Sequence, residues 1–205
     1  MTNGDPDDLG QNGSSYSNDA STKPKRPENI FSEAIISDMN ESPHHDSVDG
    51  VLRRLSSQAV RVLDFGRAEA VALDAPALCT HHLLLGMLQQ RACCAAQILG
   101  ELGFEYDEIR RRIVFITGSQ THEQRAPEDL EFSPRLIHAL DLASHEATRR
   151  GHKEVGTIHL LVSLLRAREG LVVTVLDTAG LGLEPVGAAI VRAFRADAAQ
   201  DPVDG

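Results

Sequence analysis

The chain has 205 residues; 41% are hydrophobic, 24% charged and only 4% aromatic, with no Trp. That composition supports one ordinary core of about 150 residues or two small fused units. No run of eighteen apolar residues occurs, the first twenty residues hold no apolar block, and the three cysteines include an adjacent pair, so a membrane span, a secretory signal and a disulfide-framed miniprotein are not expected. The net charge of -10 argues against nucleic acid, because phosphate binding needs a basic footprint. The expected location is cytoplasmic, with no membrane contact.

In chain order, residues 1–50 come first. They hold ten acids and three bases, and the first 28 are rich in Gly, Asn, Ser, Asp and Pro. Such a segment cannot bury enough apolar surface to offset the entropy of ordering, and it reads as a disordered acidic tail. One island interrupts it. Ile30, Phe31, Ala34, Ile35, Ile36 and Met39 recur at near-helical spacing, which suggests a short helix at 30–39. Three readings stay open for the island: a helical turn packed on the chain's own domain, an amphipathic helix that docks a partner, or an unstructured segment. Ser42 to Gly50 returns to linker composition.

From residue 51 to 195 the hydrophobic pattern is helical, and it repeats. A shift of 77 residues lays Leu63-Asp64 on Leu140-Asp141, Glu69-Ala70 on Glu146-Ala147 and Thr80 on Thr157. It also lays His82-Leu83-Leu84 on His159-Leu160-Leu161, Leu99 on Leu176 and Ile113-Val114 on Ile190-Val191. A single register held from end to end is the mark of a duplicated structural unit. The expected fold is all-α: two pseudo-repeated four-helix units, eight helices in all, at 55–117 and 132–195. A polar linker at 118–131 joins them, and a flexible tail follows at 196–205.

The start and stop signals agree with this plan. Ser133 is placed to cap a helix that has Pro134 in its first position, and Gly151 ends that helix. Thr157 is expected to cap the next, with Leu160, Leu161, Leu164 and Leu165 on its buried face. Ser56, Thr80 and Gly103 take the corresponding roles in the first unit. Gly66 falls inside a helix, at a cost of about 1 kcal/mol relative to Ala, and nothing in the sequence accounts for it.

These residues resemble a known family. Thr80-His81-His82-Leu83-Leu84-Leu85-Gly86-Met87-Leu88 and Thr157-Ile158-His159-Leu160-Leu161-Val162-Ser163-Leu164-Leu165 are similar to the "GTEHLLLGLL" signature of the Clp N-terminal repeat. Phe132-Ser133-Pro134-Arg135 resembles its "FTPRA" opening, Ala147-Thr148-Arg149-Arg150-Gly151-His152 its "EARRLGH" segment, and Leu99 to Gly103 its "VLENLGV" segment. The match covers about 55–195. The resemblance implies the recognition module of ClpC- and ClpA-type AAA+ unfoldases, which binds adaptors and substrate proteins and performs no catalysis. No G-x-x-x-x-G-K-[ST] phosphate loop is present. With Met1 at the head of its own acidic extension, the chain is expected to be a stand-alone domain without the ATPase modules.

The resemblance further implies a partner or peptide surface built from Ser56, Thr80, His81, Ser133, Arg135, Thr157 and Ile158, acting as adaptor, regulator or decoy. A module that sequesters a small molecule or cyclic peptide between the repeats is the alternative. A metal or redox enzyme using Cys79, His81, Cys93 and Cys94 is the third reading. Thiolate and imidazole suit zinc, but the paired C-x-x-C spacing is missing, and Cys93 and Cys94 align with Gly170 and Leu171, which are packing positions. His82 and His159 read as packed histidines that donate a hydrogen bond to a neighbouring loop. No G-x-S-x-G turn occurs, so no catalytic residue, cofactor or metal is assigned.

In the ClpC class the Glu of "GTEH" holds the guanidinium of phosphoarginine, and here His81 and Ile158 stand in its place. A carboxylate pairs with guanidinium through charge-assisted bonds; neutral His does so poorly and Ile not at all. Phosphoarginine binding is therefore expected to be weak or absent. Calorimetric titration with a phosphoarginine peptide should show no saturation at micromolar concentration, and saturable micromolar binding would contradict the assignment.

Overall fold

The computed structural model describes residues 47–118, 126, 130–166, 170–179 and 183–198. The apolar island at 30–39, the rest of the acidic tail to residue 46, most of the linker, Gly180 and residues 199–205 lie outside the described residues.

The described residues form nine α-helices. A short α1 (Val48–Arg53) leads into α2 (Ser57–Ala72), α3 (Thr80–Gln89), α4 (Cys94–Glu101) and α5 (Tyr106–Thr117). Then come α6 (Pro134–Arg149), α7 (Thr157–Arg166), α8 (Leu171–Thr178) and α9 (Leu183–Ala198). The first three helices of each repeat begin and end 77 residues apart, and the fourth begins at the same offset. The all-α expectation holds. The addition is α1, where linker composition extends to Gly50. Ser47 caps it by accepting from the Gly50 N–H at 3.2 Å. Val51, its one buried residue, packs where α1 lies on α6. Six residues are too few for periodicity to register.

The repeats interlock. Within each, the first helix packs on the second, α2 on α3 and α6 on α7. The third helices cross over: α4 packs on α7 and α9 of the second repeat, and α8 packs on α3 and α5 of the first. Two isolated parallel bridges repeat the exchange in the backbone. Leu55 pairs with Val155, and Leu78 with Phe132, and the 77-residue shift turns one bridge into the other. The Ser56 N–H donates to the Val155 carbonyl at 3.1 Å and the Val155 N–H to the Arg54 carbonyl at 2.7 Å. Reciprocally, the Ser133 N–H donates to the Leu78 carbonyl at 2.9 Å and the Leu78 N–H to the Glu131 carbonyl at 2.8 Å. The shared core holds matched pairs: Leu83 with Leu160, Leu84 with Leu161, Leu99 with Leu176, and Ile113 with Ile190, all at most 1% exposed. Each such side chain contributes about 1.5–3 kcal/mol on burial.

Capping follows the sequence signals, with one displacement. Ser56 and Ser133 are N-caps, each accepting from the N–H three residues on at 3.3 Å. Thr80 and Thr157 are not caps but first helical residues; the cap of α3 is Cys79. At these helices the histidines supply the cap bond. His82 Nδ1 accepts from the Cys79 N–H at 3.0 Å and His159 Nδ1 from the Gly156 N–H at 2.9 Å. Both rings therefore accept at Nδ1, where a donor to a loop was expected. At the other end of α6, Gly151 adopts φ 77°, the Gly151 N–H donates to the Thr148 carbonyl, and the His152 N–H donates to the Ala147 carbonyl, a Schellman closure. The same closure ends α2, with Asp74 forced to φ 49° where the other repeat has Gly.

Gly66 now has a reason. Helices α2 and α3 cross backbone to backbone at Gly66 and Gly86. A Cβ on Gly86 would stand 2.2 Å from the Val62 carbonyl oxygen, and one on Gly66 would stand 3.0 Å from the His82 carbonyl oxygen. The second repeat places Ala143 and Ser163, both fully buried, at the matching positions. Gly86→Ala is expected to destabilise the fold by about 1–3 kcal/mol or more in urea titration, since backbone must move. Ser163→Ala loses one hydrogen bond, to the Leu160 carbonyl at 2.8 Å, and should cost about 1 kcal/mol.

Two matched carboxylates lie in the core and are satisfied differently. Glu69 accepts from the Tyr106 hydroxyl and from Arg110 Nε at 3.0 Å. Glu146, 1% exposed, holds Arg149 at 3.1 Å, Arg150 at 2.6 Å and Arg166 at 3.1 Å. Burial alone would raise its pKa, but the three guanidinium groups hold it below the ordinary glutamate value. Its contribution is thus full above the ordinary value and is lost as pH falls through the depressed one. Glu146→Gln removes the carboxylate charge that three partly exposed guanidinium groups share and should cost about 1–3 kcal/mol near neutral pH. The difference from the parent chain should shrink as the pH drops below the ordinary glutamate range.

Candidate functional site

The backbone bridges decide which candidate residues meet. Ser133 opens the second repeat, yet its bridge sets it beside Leu78 and Cys79 of the first. Ser56 opens the first repeat, and its N–H donates to the Val155 carbonyl of the second, just ahead of α7. Each site is therefore composite, a hydroxyl from one repeat facing the start of the second helix of the other. The sequence shows both halves but not this crossing.

In the first composite, the Ser133 hydroxyl lies beside the Cys79 thiol, and burial pushes that thiol's pKa up. The rings of His81 and His82 stand 4.1 Å apart. Burial lowers the pKa of His81 to about 4, and burial together with the neighbouring His81 lowers that of His82 to about 3. Both imidazoles are neutral at neutral pH. His81 thus offers no carboxylate for a guanidinium and no charge for a phosphate. Thr80 is half-buried at the first turn.

In the second composite, Ile158 is half-buried against the core. Thr157 is buried, and its hydroxyl accepts from the Ala95 N–H at 3.4 Å. It thereby caps the exchanged helix α4 from the other repeat and serves the interlock. His159 differs from His82 in having a second partner, since its Nε2 meets His152 Nδ1 at 2.9 Å. Arg135 is exposed on α6, and its guanidinium reaches back to Gly170 at the head of α8. A Cβ at Gly170 would fall 2.8 Å from it, and the φ of 117° there suits glycine alone.

Three features escaped the sequence. Val60 and Ile137, matched under the repeat, are 41% and 40% exposed one turn after Ser56 and Ser133. They are a matched pair of partly exposed apolar residues on α2 and α6. Arg54, at the end of α1, crosses to α6, donating to Ser144 Oγ at 2.9 Å and Thr148 Oγ1 at 3.1 Å. The cysteines also divide. Cys93 is buried and caps α4 by accepting from the Ala96 N–H at 3.4 Å. Cys94 is exposed, so its packing role does not hold. Neither joins the cluster in which Cys79, His81 and His82 bring their ligand atoms within 4.8 Å of one another. A cavity of about 230 Å³ is lined by Leu88, Arg91, Ala96, Gly100, Phe104, Glu105 and Tyr106, all within the first repeat. Among the described residues no helix is long and apolar enough to cross a membrane.

Residues 54–192 match the family model described as the Clp repeat (R) N-terminal domain. The chain is 31% identical over 141 residues to the ATP-dependent Clp protease ATP-binding subunit ClpC of Staphylococcus epidermidis, covering 69% of this chain and 17% of that protein. It spans about a sixth of the length of the curated relatives it matches. Among solved structures, the N-terminal domain of the chaperone ClpD from Arabidopsis thaliana superposes with a TM-score of 0.60 at 21% identity, over 70% of this chain and 96% of that one. The ClpV N-domain, solved in complex with a VipB peptide, superposes with a TM-score of 0.56 at 19% identity, over 74% and 96%.

Proposed function

The chain belongs to the Clp repeat N-terminal domain family, and from that premise we propose that it is a non-catalytic, cytoplasmic, polypeptide-binding module of a Clp-type system, acting as adaptor, regulator or decoy. Its partner is a Clp-type AAA+ unfoldase, an adaptor of that unfoldase or a substrate protein. The observation that carries the reading is the matched exposed pair Val60 and Ile137, each one turn beyond a capping serine and related to the other by the repeat. About 40% of each side chain stays open to solvent in both halves, available to an extended or helical segment of a partner. The structurally similar ClpV N-domain is in complex with a VipB peptide, which supports polypeptide binding. His81 is neutral and Ile158 apolar where the family's signature carries an acid, so recognition rests on apolar contact and backbone hydrogen bonds rather than on ion pairing.

Immobilised chain should capture Clp ATPase, adaptor or peptidase subunits from a lysate of its own source. Val60→Asp with Ile137→Asp, both solvent-facing, should leave the helical circular dichroism unchanged and reduce that capture at least about tenfold, the effect of losing roughly 1.4 kcal/mol. Equal capture by the parent and the doubly substituted chain would remove this surface from the account.

A further inference from the structure

We propose that Cys79, His81 and His82 form a zinc site at the head of α3. The three residues present a thiol and two imidazoles whose ligand atoms lie within 4.8 Å of one another. Ligand atoms sharing one zinc stand about 3.3–3.8 Å apart, given bonds of about 2.0–2.3 Å in a tetrahedron. The remaining closure is about 1 Å, within reach of side-chain rotation, since Cys79 and His81 are both half-exposed.

Tautomer and position fit a thiophilic cation of this type. Cys79 is the N-cap of α3 and His82 its third residue, so the two side chains converge over the first turn. His82 Nδ1 accepts the Cys79 N–H, which leaves the ring proton on Nε2 and a lone pair on Nδ1. Zinc takes that lone pair in place of the amide proton, at the cost of that hydrogen bond. Neutral imidazole is the metal-binding form. The Cys79 thiol gives its proton to solvent as the Zn–S bond forms, so each zinc bound releases one proton. Cys79, His81 and His82 provide three ligands, and water or the adjacent Ser133 hydroxyl completes the tetrahedron.

The second repeat supplies an internal comparison. Its counterparts are Gly156, Ile158 and His159, and the His159 ring is committed on both nitrogens, to the Gly156 N–H and to His152. At the position of His152 the first repeat has Ala75, and no hydrogen bond to His82 Nε2 occurs among the described residues. Duplication has thus kept the capping histidine in both halves, and only the first half surrounds it with further soft donors.

Zinc and cobalt binding to the full chain, free of any polyhistidine tag, tests the site. The parent chain should bind one zinc, release one proton per zinc, and with cobalt show thiolate charge-transfer absorption in the near ultraviolet and the visible bands of a tetrahedral complex. Cys79→Ser keeps a preferred N-cap residue and so should stay folded. It should lose the charge-transfer absorption and bind zinc at least about a hundredfold more weakly, beyond the roughly 10–100-fold that changes outside the ligand set cost. His81→Gln should weaken zinc similarly, and Cys94→Ser should change nothing. Absence of stoichiometric zinc binding by the parent chain would overturn the proposal. So would charge-transfer absorption that survives Cys79→Ser or disappears with Cys94→Ser.

Discussion

Two parallel bridges, Leu55 to Val155 and Leu78 to Phe132, tie each repeat's opening to the other's second helix, and the third helices follow the same exchange. This reciprocity is the constraint behind the rest of the fold. A four-helix unit of about sixty residues alone buries only a marginal share of its surface. Crossing α4 over to α7 and α9, and α8 over to α3 and α5, makes one core out of two marginal ones. The crossing also determines where chemistry can sit. Ser133 reaches Cys79 only because the backbone of Phe132 is held against Leu78. Each candidate site takes one half from each repeat for the same reason.

Where the halves differ, the scaffold shows what it tolerates. The buried carboxylate is retained as Glu69 and Glu146, but its partners change from Tyr106 and Arg110 to Arg149, Arg150 and Arg166. The helix-ending left-handed position holds Asp74 in one half and Gly151 in the other. The crossing of the first two helices demands Gly66 and Gly86 in one half and accepts Ala143 and Ser163 in the other. The geometry is held and the side chains that meet it are exchanged. Val60 and Ile137 are an instance in which exposure itself is kept in both halves, and it is this that separates them from the core.

Much of this was legible in the sequence. The 77-residue register shows the duplication, and the leucine spacing gives helices whose bounds repeat at that offset. Ser56 and Ser133 read as caps and are caps. The misses have physical causes. Thr80 and Thr157 look like caps because they are hydroxyl residues at a helix start; here a histidine ring accepts the cap-residue N–H instead, and the cap moves back to Cys79 and Gly156. Gly66 looks like a penalty until its partner Gly86 is known, and no local pattern reveals a backbone crossing. Cys79, His81 and His82, with Cys93 and Cys94 further on, read as the one cluster able to ligate a metal; Cys93 is committed to capping α4, and the ligand atoms of Cys79, His81 and His82 come together. Pairing across repeats is non-local, and it is invisible to periodicity and spacing alike.

The central claim is that the repeats fold as one interlocked body. Amide hydrogen exchange at Ser56, Leu78, Ser133 and Val155 tests it most directly, because these four N–H groups are the donors of the two bridges. The account predicts that all four exchange slowly and together, opening only with global unfolding. Rapid exchange at Ser56 and Val155 while Leu78 and Ser133 stay protected, or the reverse, would contradict it.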